Sequence, residues 1–342
     1  MKIGLVGYQG SGKSTLFEFL TSVAPDLSLS HTTQSAMATI PDERVESLCS
    51  IYSPKKITRA SLEIVDTPGL SRTHEGNAAR LGQIREASCL VQVVGAFDGS
   101  DFSKDLMGFE EDLVLTDLEI VANRVERLKD SLRKPRPNRD EQQAELEAIE
   151  PILARLEAGE PLSGFEFTDE QLKVTRSFQL LSQKRRLAII NVADDEVDLK
   201  KYNEYSTDNR PVFAVPVGLE VELSRMEEEE RDEFRQEMGI AGFDRDSLIR
   251  SIMSQSGQML FFTAGEKEVR TWLIAQGATA VEAADSIHSD LARGFIRAET
   301  MSCDDLFRLG SEREVKAENL MRQEPKDYVL QNGDIINVRF SV

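Results

Sequence analysis

The chain has 342 residues, which at about 150 residues per domain suggests two or three domains with ample room for buried cores. Forty-one Lys and Arg against sixty Asp and Glu leave a net charge of −19, a balance that opposes sequence-independent coating of DNA. With 40% hydrophobic and 30% charged residues the composition is that of a soluble globular protein, and no apolar run approaches the roughly 20 residues of a membrane-spanning helix.

Met1-Lys2-Ile3-Gly4-Leu5-Val6 runs straight into a glycine motif without a small-residue cleavage site. It reads as a strand rather than a secretory signal, and cytoplasmic residence is expected. Cys49, Cys89 and Cys303 are widely spaced and form no C-x-x-C pair, against a disulfide framework or a zinc site.

Apolar runs at 2–6, 61–65, 89–94 and 187–192 alternate with helical stretches, the pattern of an α/β domain with a parallel sheet. Within this alternation Val114, Leu118, Val121, Val125, Leu128 and Leu132 step by threes and fours. Lys134-Pro135-Arg136-Pro137 interrupts the helix, and Leu146, Ile149, Leu153 and Leu156 resume it. Two antiparallel helices, coiled-coil-like or simply amphipathic, are therefore inserted in the α/β domain. The run 227–230 of four glutamates reads as a solvated helix face. A third region opens with a strand pair around 271–274, continues through helix-like residues 279–292, and closes with Gln331-Asn332-Gly333-Asp334 between two apolar runs, a hairpin signal. The expected partition is 1–110 and 187–257 for the α/β domain, 111–186 for the helical insertion, and 258–342 for a carboxyl-terminal module.

Gly7-Tyr8-Gln9-Gly10-Ser11-Gly12-Lys13-Ser14 matches G-x-x-x-x-G-K-[ST], with a strand before it and helix-like Thr15-Leu20 after it. Phosphate binding needs these residue types. Gly7, Gly10, Ser11, Gly12 and Thr15 let backbone N–H groups approach phosphate oxygens, Lys13 supplies charge, and Ser14 offers its hydroxyl to Mg²⁺. Leu62-Glu63-Ile64-Val65-Asp66-Thr67-Pro68-Gly69 then reads as a strand ending in D-x-x-G. Asp66 is placed for the magnesium shell and the Gly69 N–H for the terminal phosphate, the arrangement of a nucleotide switch rather than of a small-molecule kinase. Thr33 is the candidate for the threonine that closes over the metal, though a loop or capping role for Thr32 or Thr33 fits the pattern equally. His31 reads as a loop residue. Leu70 stands where many switch GTPases carry a water-orienting glutamine, so slow intrinsic turnover is expected, with Lys13, Mg²⁺ and loop N–H groups stabilising the transition state. Asn191-Val192-Ala193-Asp194 occupies the place of the N-K-x-D guanine reader without its lysine. Neither ATP nor GTP is excluded, and the tetrapeptide also fits an ordinary turn.

These motifs, with Ile84-Arg85-Glu86-Ala87 and the carboxyl-terminal stretches Phe261-Phe262-Thr263-Ala264-Gly265-Glu266, Gly277-Ala278-Thr279-Ala280, Ile287-His288-Ser289-Asp290 and Gly294-Phe295-Ile296-Arg297-Ala298-Glu299, resemble the YchF family of Obg-like ATPases over nearly the whole chain. The resemblance implies a P-loop G domain interrupted by a coiled-coil-like helical domain and followed by a ubiquitin-like β-grasp (TGS) module. It also implies ATP acceptance in a GTPase-like pocket, a hydrophobic residue at Leu70, and association with ribosomes. The family's P-loop usually reads G-x-P-N-V-G-K-S, so Gln9, Gly10 and Ser11 remove the asparagine through which potassium would be held. The family's base motif generally ends in glutamate, whereas Asp194 is the guanine-type acid.

Two functions follow from this reading. One is a Mg²⁺-dependent triphosphatase switch that binds and slowly hydrolyses ATP or GTP on the ribosome. The other is a nucleotide-stabilised module for ribosome or ribosomal RNA binding with incidental turnover. A monomer is expected, with no membrane or sequence-specific DNA partner. Lys267, Arg270, Arg293 and Arg297 are candidates for an RNA-facing patch, set against a β-grasp module that is only a rigid lid.

Overall fold

The structure is a computed structural model that describes all residues except 27, 29–31, 74, 100, 134–136, 197, 239–242 and 342. His31 and much of the interruption at 134–137 thus lie outside the described residues. In chain order the elements that matter here are β1 (Lys2–Val6), α1 (Lys13–Thr21), β2 (Gln34–Thr39), α2 (Arg44–Tyr52), β3 (Ile57–Thr58), β4 (Ser61–Asp66), α3 (Asn77–Gly82) and β5 (Cys89–Gly95). There follow α4 (Phe102–Leu132), α5 (Arg139–Glu157), β6 (Arg185–Asn191), β7 (Val212–Val215), β8 (Gln258–Thr263), β9 (Val269–Ala275), β10 (Phe295–Ser302), β11 (Arg322–Glu324) and β12 (Asp334–Phe340). Among the described residues no helix is long and apolar enough to cross a membrane.

The chain forms two compact units, 1–36 with 63–245 and 37–62 with 246–342. In the first, the strand order is β2-β4-β1-β5-β6-β7, and the pairings of β1 with β4 and β5, of β5 with β6 and of β6 with β7 are parallel. Every residue of β5 is buried, as expected for a central parallel strand covered on both faces. The order places the carboxyl ends of β1, β4, β5 and β6 side by side, where α/β sheets bind ligands.

The helical insertion forms as the heptad spacing requires. Val114, Val121, Val125 and Leu128 of α4 share one core with Leu146, Ile149, Ile152 and Leu156 of α5. α4 is 31 residues long, and it begins at Phe102, earlier than the expected boundary at 111. Its first turns belong to the α/β core, because Phe109 and Leu113 pack with Leu81, Ile84 and Leu70. Asp117 on α4 accepts the backbone N–H groups of Leu181 and Ser182 at 2.9 and 2.7 Å and the Ser182 hydroxyl at 2.8 Å. That fully buried carboxylate ties the exit of the insertion to its entry. Burial pushes its pKa up, against the hydrogen bonds it accepts.

The second unit is a six-stranded sheet in the order β11-β10-β12-β8-β9-β3. The β8/β9 hairpin, the crossing helix Ala280–Ile287, and β12 running parallel to β8 make the β-grasp. Two expectations are corrected. Residues 37–62 stand with the carboxyl-terminal region and not with the rest of 1–110, because β3 extends the edge of β9 in parallel and Ala60 N–H donates to Thr271 Oγ1 at 2.5 Å. The Asn332-Gly333 turn does not join two paired strands. Backbone groups at 328–330 bond instead to 278–280, Ala280 N to Tyr328 O and Leu330 N to Ala278 O, and β12 pairs with β10 and β8. The candidate RNA-facing cations are mostly engaged: Arg270 stacks on Trp272, Arg293 pairs with Asp290, and Arg297 lies 4.0 Å from Glu299.

Candidate nucleotide site

β1 delivers the chain to Gly7, and the turn it makes there admits only glycine at key points. A Cβ on Gly7 would overlap the Val93 carbonyl oxygen, and one on Gly12, where φ is +93°, would overlap the Asn191 amide nitrogen. α1 then starts at Lys13 with Gly12 as its cap and with no side-chain cap bond, so its first N–H groups face the loop. Lys13 is 6% exposed, donates to Tyr8 O at 3.0 Å, and makes no ion pair among the described residues. Burial lowers its pKa to about 8, Asp66 opposes the shift and Arg72 adds to it. A buried ammonium with no ion pair among the described residues, at the uncapped start of a helix, suits an anion.

The D-x-x-G segment is stitched to this loop. Gln9 N–H donates to Leu70 O at 2.9 Å and Leu70 N–H to Gly7 O at 3.0 Å. Gly69 lies so close that a Cβ on it would sit 2.7 Å from Gln9 Cα. Ser14 Oγ donates to Asp66 Oδ2 at 2.6 Å, while the buried Asp66 Oδ1 has no hydrogen-bond partner among the described residues, nor has Ser11 Oγ. Burial raises the Asp66 pKa, and the Ser14 hydroxyl, Lys13 and the Thr67 N–H counter it. An orphaned carboxylate oxygen beside a hydroxyl suits a hard cation that draws its remaining oxygens from phosphate and water. Ser14 and Asp66 thus fit Mg²⁺.

A cavity of about 260 Å³ opens there, bounded by Gln9, Gly10, Lys13, Ser14, Asp66 and Gly69 and also by Thr32, Gln34 and Arg80. Thr33 donates instead to Gln83 Oε1 at 3.2 Å, so in this arrangement Thr32 is the threonine that borders the cavity with Ser14 and Asp66. Leu70 is 3% exposed, packs among Tyr8, Leu81 and Phe109, and does not line this cavity.

A second cleft, of about 660 Å³, adjoins the first and is lined by Gly10, Gly12, Lys13, Ser14, Thr15, Phe97, Asn191, Val192, Ala193, Asp194 and Gly218. Asn191 braces it, donating through Nδ2 to Ser11 O at 3.3 Å and accepting Val217 N–H on Oδ1 at 3.2 Å. Asp194 Oδ1 accepts Leu219 N–H at 3.2 Å. All the anticipated site residues except Thr33 and Leu70, which face elsewhere, and Ser11 and Gly7, which shape the loop, border these two joined cavities. Phe97, 43% exposed, and Gly218 and Arg80 also border them, and no local motif marks any of the three.

The loops are also tied to α4. Arg72 donates Nε and Nη2 to Asp105 at 3.0 and 2.6 Å, and Asp112 accepts the Tyr8 hydroxyl and Asn77 Nδ2 at 3.1 and 3.0 Å. The segment after Gly69 is thus bonded to the first turns of α4, the helix that runs on into the insertion.

The family model described as 50S ribosome-binding GTPase matches residues 2–124, and that of the YchF GTPase carboxyl-terminal domain, described as a protein of unknown function, matches residues 259–341. The ribosome-binding ATPase YchF of Bacillus subtilis is 33% identical over 365 residues, covering 99% of this chain and 99% of that protein. The chain belongs to the YchF family of Obg-like ATPases. Obg-like ATPase 1 of Oryza sativa subsp. japonica is 34% identical over 367 residues, with 100% of this YchF-family chain and 92% of the rice protein covered. The structure of the Schizosaccharomyces pombe YchF GTPase aligns with a TM-score of 0.84 at 25% identity, covering 99% of this chain and 97% of that one. A GTP binding protein from Pyrococcus horikoshii shares the fold, with a TM-score of 0.59 at 19% identity and full coverage of both chains.

Proposed function

We propose that this YchF-family chain is a magnesium-dependent nucleoside triphosphatase that binds ATP and GTP, hydrolyses them slowly, and works as a switch on the ribosome. The observation that carries this reading is the buried Lys13, without an ion pair among the described residues, beside an Asp66 oxygen that has no hydrogen-bond partner among them. Both groups carry a desolvation cost that a magnesium triphosphate would offset. Lys13 sets its charge against the β- and γ-phosphates, and Ser14 and Asp66 hold the ion. When bound, Mg²⁺ would supply positive charge that offsets the negative charge growing as the terminal group leaves.

Asp194 accepts from the N1–H and 2-amino groups of guanine. Val192, standing where guanine readers have a lysine, weakens that preference, and the exposed ring of Phe97 offers either purine an apolar face. The curated relatives are named as ribosome-binding or Obg-like ATPases, which supports ribosome association and ATP use. Gly69, Arg72 and Asp105 supply the route by which loss of the terminal phosphate reaches α4.

The burial of Leu70 also favours a second reading, a ribosome-binding module that nucleotide merely stabilises. Lys13→Ala separates the two in ribosome co-sedimentation with ATP, GTP and their diphosphates. Nucleotide-dependent exchange lost in the variant supports the switch, and unchanged exchange supports the module.

A further inference from the structure

With Leu70 turned into the core, the phosphate cavity has one resident cation on the P-loop, Lys13, and nothing from the usual water-orienting position. Phosphoryl transfer is accelerated almost wholly by positioning and charge, so a second cation is the missing part. Two arginines lie between Gly69 and the end of α3, and their surroundings differ. Arg72 is engaged: its fork is held by Asp105 at 3.0 and 2.6 Å, its Nη1 reaches Gln9 O at 3.4 Å, and the Tyr8 ring lies 5.7 Å from its guanidinium. It does not border the phosphate cavity.

Arg80 does border it, with Lys13, Ser14, Asp66 and Gly69. Its hydrogen bond is a 3.5 Å contact from Nη1 to the Glu75 carbonyl oxygen, and it makes no ion pair among the described residues. The helix that carries it is anchored where a switch would act. Asn77, the first residue of α3, accepts Ser71 N–H at 2.8 Å, and Gln83 just past its end accepts the Thr33 hydroxyl at 3.2 Å. The segment after Gly69 and the segment that carries Thr32 and Thr33 thus bond to the two ends of the turn that holds Arg80.

We propose that Arg80 is a catalytic residue supplied in cis, whose guanidinium binds oxygens of the γ-phosphoryl group during hydrolysis. This rests on the triphosphatase reading above. In the step, the oxygen of water bonds to the γ-phosphorus and the bond to the bridging oxygen breaks. That electron pair stays on the diphosphate, and both protons of the water end on inorganic phosphate, which then ionises to the solvent according to pH. Negative charge spreads over oxygens that a planar fork of N–H donors fits better than an ammonium does.

The test is single-turnover hydrolysis of saturating Mg·ATP and Mg·GTP by wild type, Arg80→Ala and Arg80→Lys, with nucleotide affinity and melting temperature measured alongside. Arg80→Ala is expected to slow hydrolysis about 100-fold or more, to leave Kd within about threefold, and to recover part of its rate with added guanidinium chloride at low millimolar concentration. Arg80→Lys is expected to fall between the two. Hydrolysis by Arg80→Ala at the wild-type rate would overturn the proposal, as would a rate loss matched by equal loss of affinity or folding without guanidinium rescue. A wild-type protein that hydrolyses neither nucleotide would remove the triphosphatase reading itself, an outcome distinct from equal hydrolysis by wild type and variant.

Discussion

Gly12→Ala is the sharpest probe of how the phosphate loop and the base reader are joined. At φ of +93° the backbone disfavours any side chain, at a cost of about 1–2 kcal/mol. The new methyl group would also occupy the place of the Asn191 amide. Asn191 must then swing away and give up its bonds to Ser11 O and Val217 N–H, each about 1 kcal/mol. The whole effect is about 3–4 kcal/mol, a loss of roughly 100- to 1000-fold if it falls entirely on nucleotide affinity. Asn191→Ala alone removes the two bonds, about 2 kcal/mol, but leaves the turn unstrained. The double variant has no amide left to displace, so its cost should equal that of Gly12→Ala alone and fall about 2 kcal/mol short of additivity. Calorimetric titration with a non-hydrolysable triphosphate, together with denaturant unfolding of the nucleotide-free proteins, measures all four corners. Full additivity, or Gly12→Ala binding as tightly and folding as stably as wild type, would refute the reasoning.

Three further outcomes follow from the same geometry. With Lys13 lowered to about 8 by burial, folded and unfolded chains both carry its proton below that pH, and the folded state bears the whole desolvation penalty. As pH rises through 8 towards the ordinary lysine value the folded state alone sheds the proton, so this group's penalty on nucleotide-free stability is relieved. Triphosphate binding changes oppositely: it should take up a proton at pH 8.5, seen as a buffer-dependent calorimetric enthalpy, with Kd weakening towards tenfold per unit above that. Identical enthalpies across buffers would count against it. Leu70→Gln should not raise turnover, because the amide would be buried in the core beside Phe109, and it should lower stability by about 2–3 kcal/mol. A faster, equally stable variant would show that the side chain reaches the water. Asp117→Ala should cost about 2–4 kcal/mol in denaturant unfolding, since the N–H groups of Leu181 and Ser182 lose their acceptor, while nucleotide Kd stays unchanged. A stability loss under 0.5 kcal/mol would contradict that pinning role.

What could be read from the chain alone is what local chemistry determines. The P-loop and D-x-x-G work through backbone N–H groups and short-range turns, so residue type and spacing announce them. β5 is legible because all seven of its residues are buried, and α4 and α5 because Val121 and Ile149 recur on a face that must be covered. Residues 37–62 were illegible for the opposite reason. β3 is two residues long, carries no alternation, and pairs with Val269 and Arg270 some two hundred positions away. The Asn-Gly turn misled because Leu330 is needed in the β-grasp core and its backbone is claimed by Ala278. Phe97, Gly218 and Arg80 reach the site only through the convergence of separate loops, and no spacing rule connects them to Lys13.

The measurement that bears most directly on the account is a calorimetric titration of the wild-type protein and Lys13→Ala with Mg·ATP and Mg·GTP. A saturable one-site heat in the wild type, stronger for triphosphate than for diphosphate and absent from the variant, is the predicted result. Wild-type protein giving no heat with either nucleotide at millimolar concentration would contradict it.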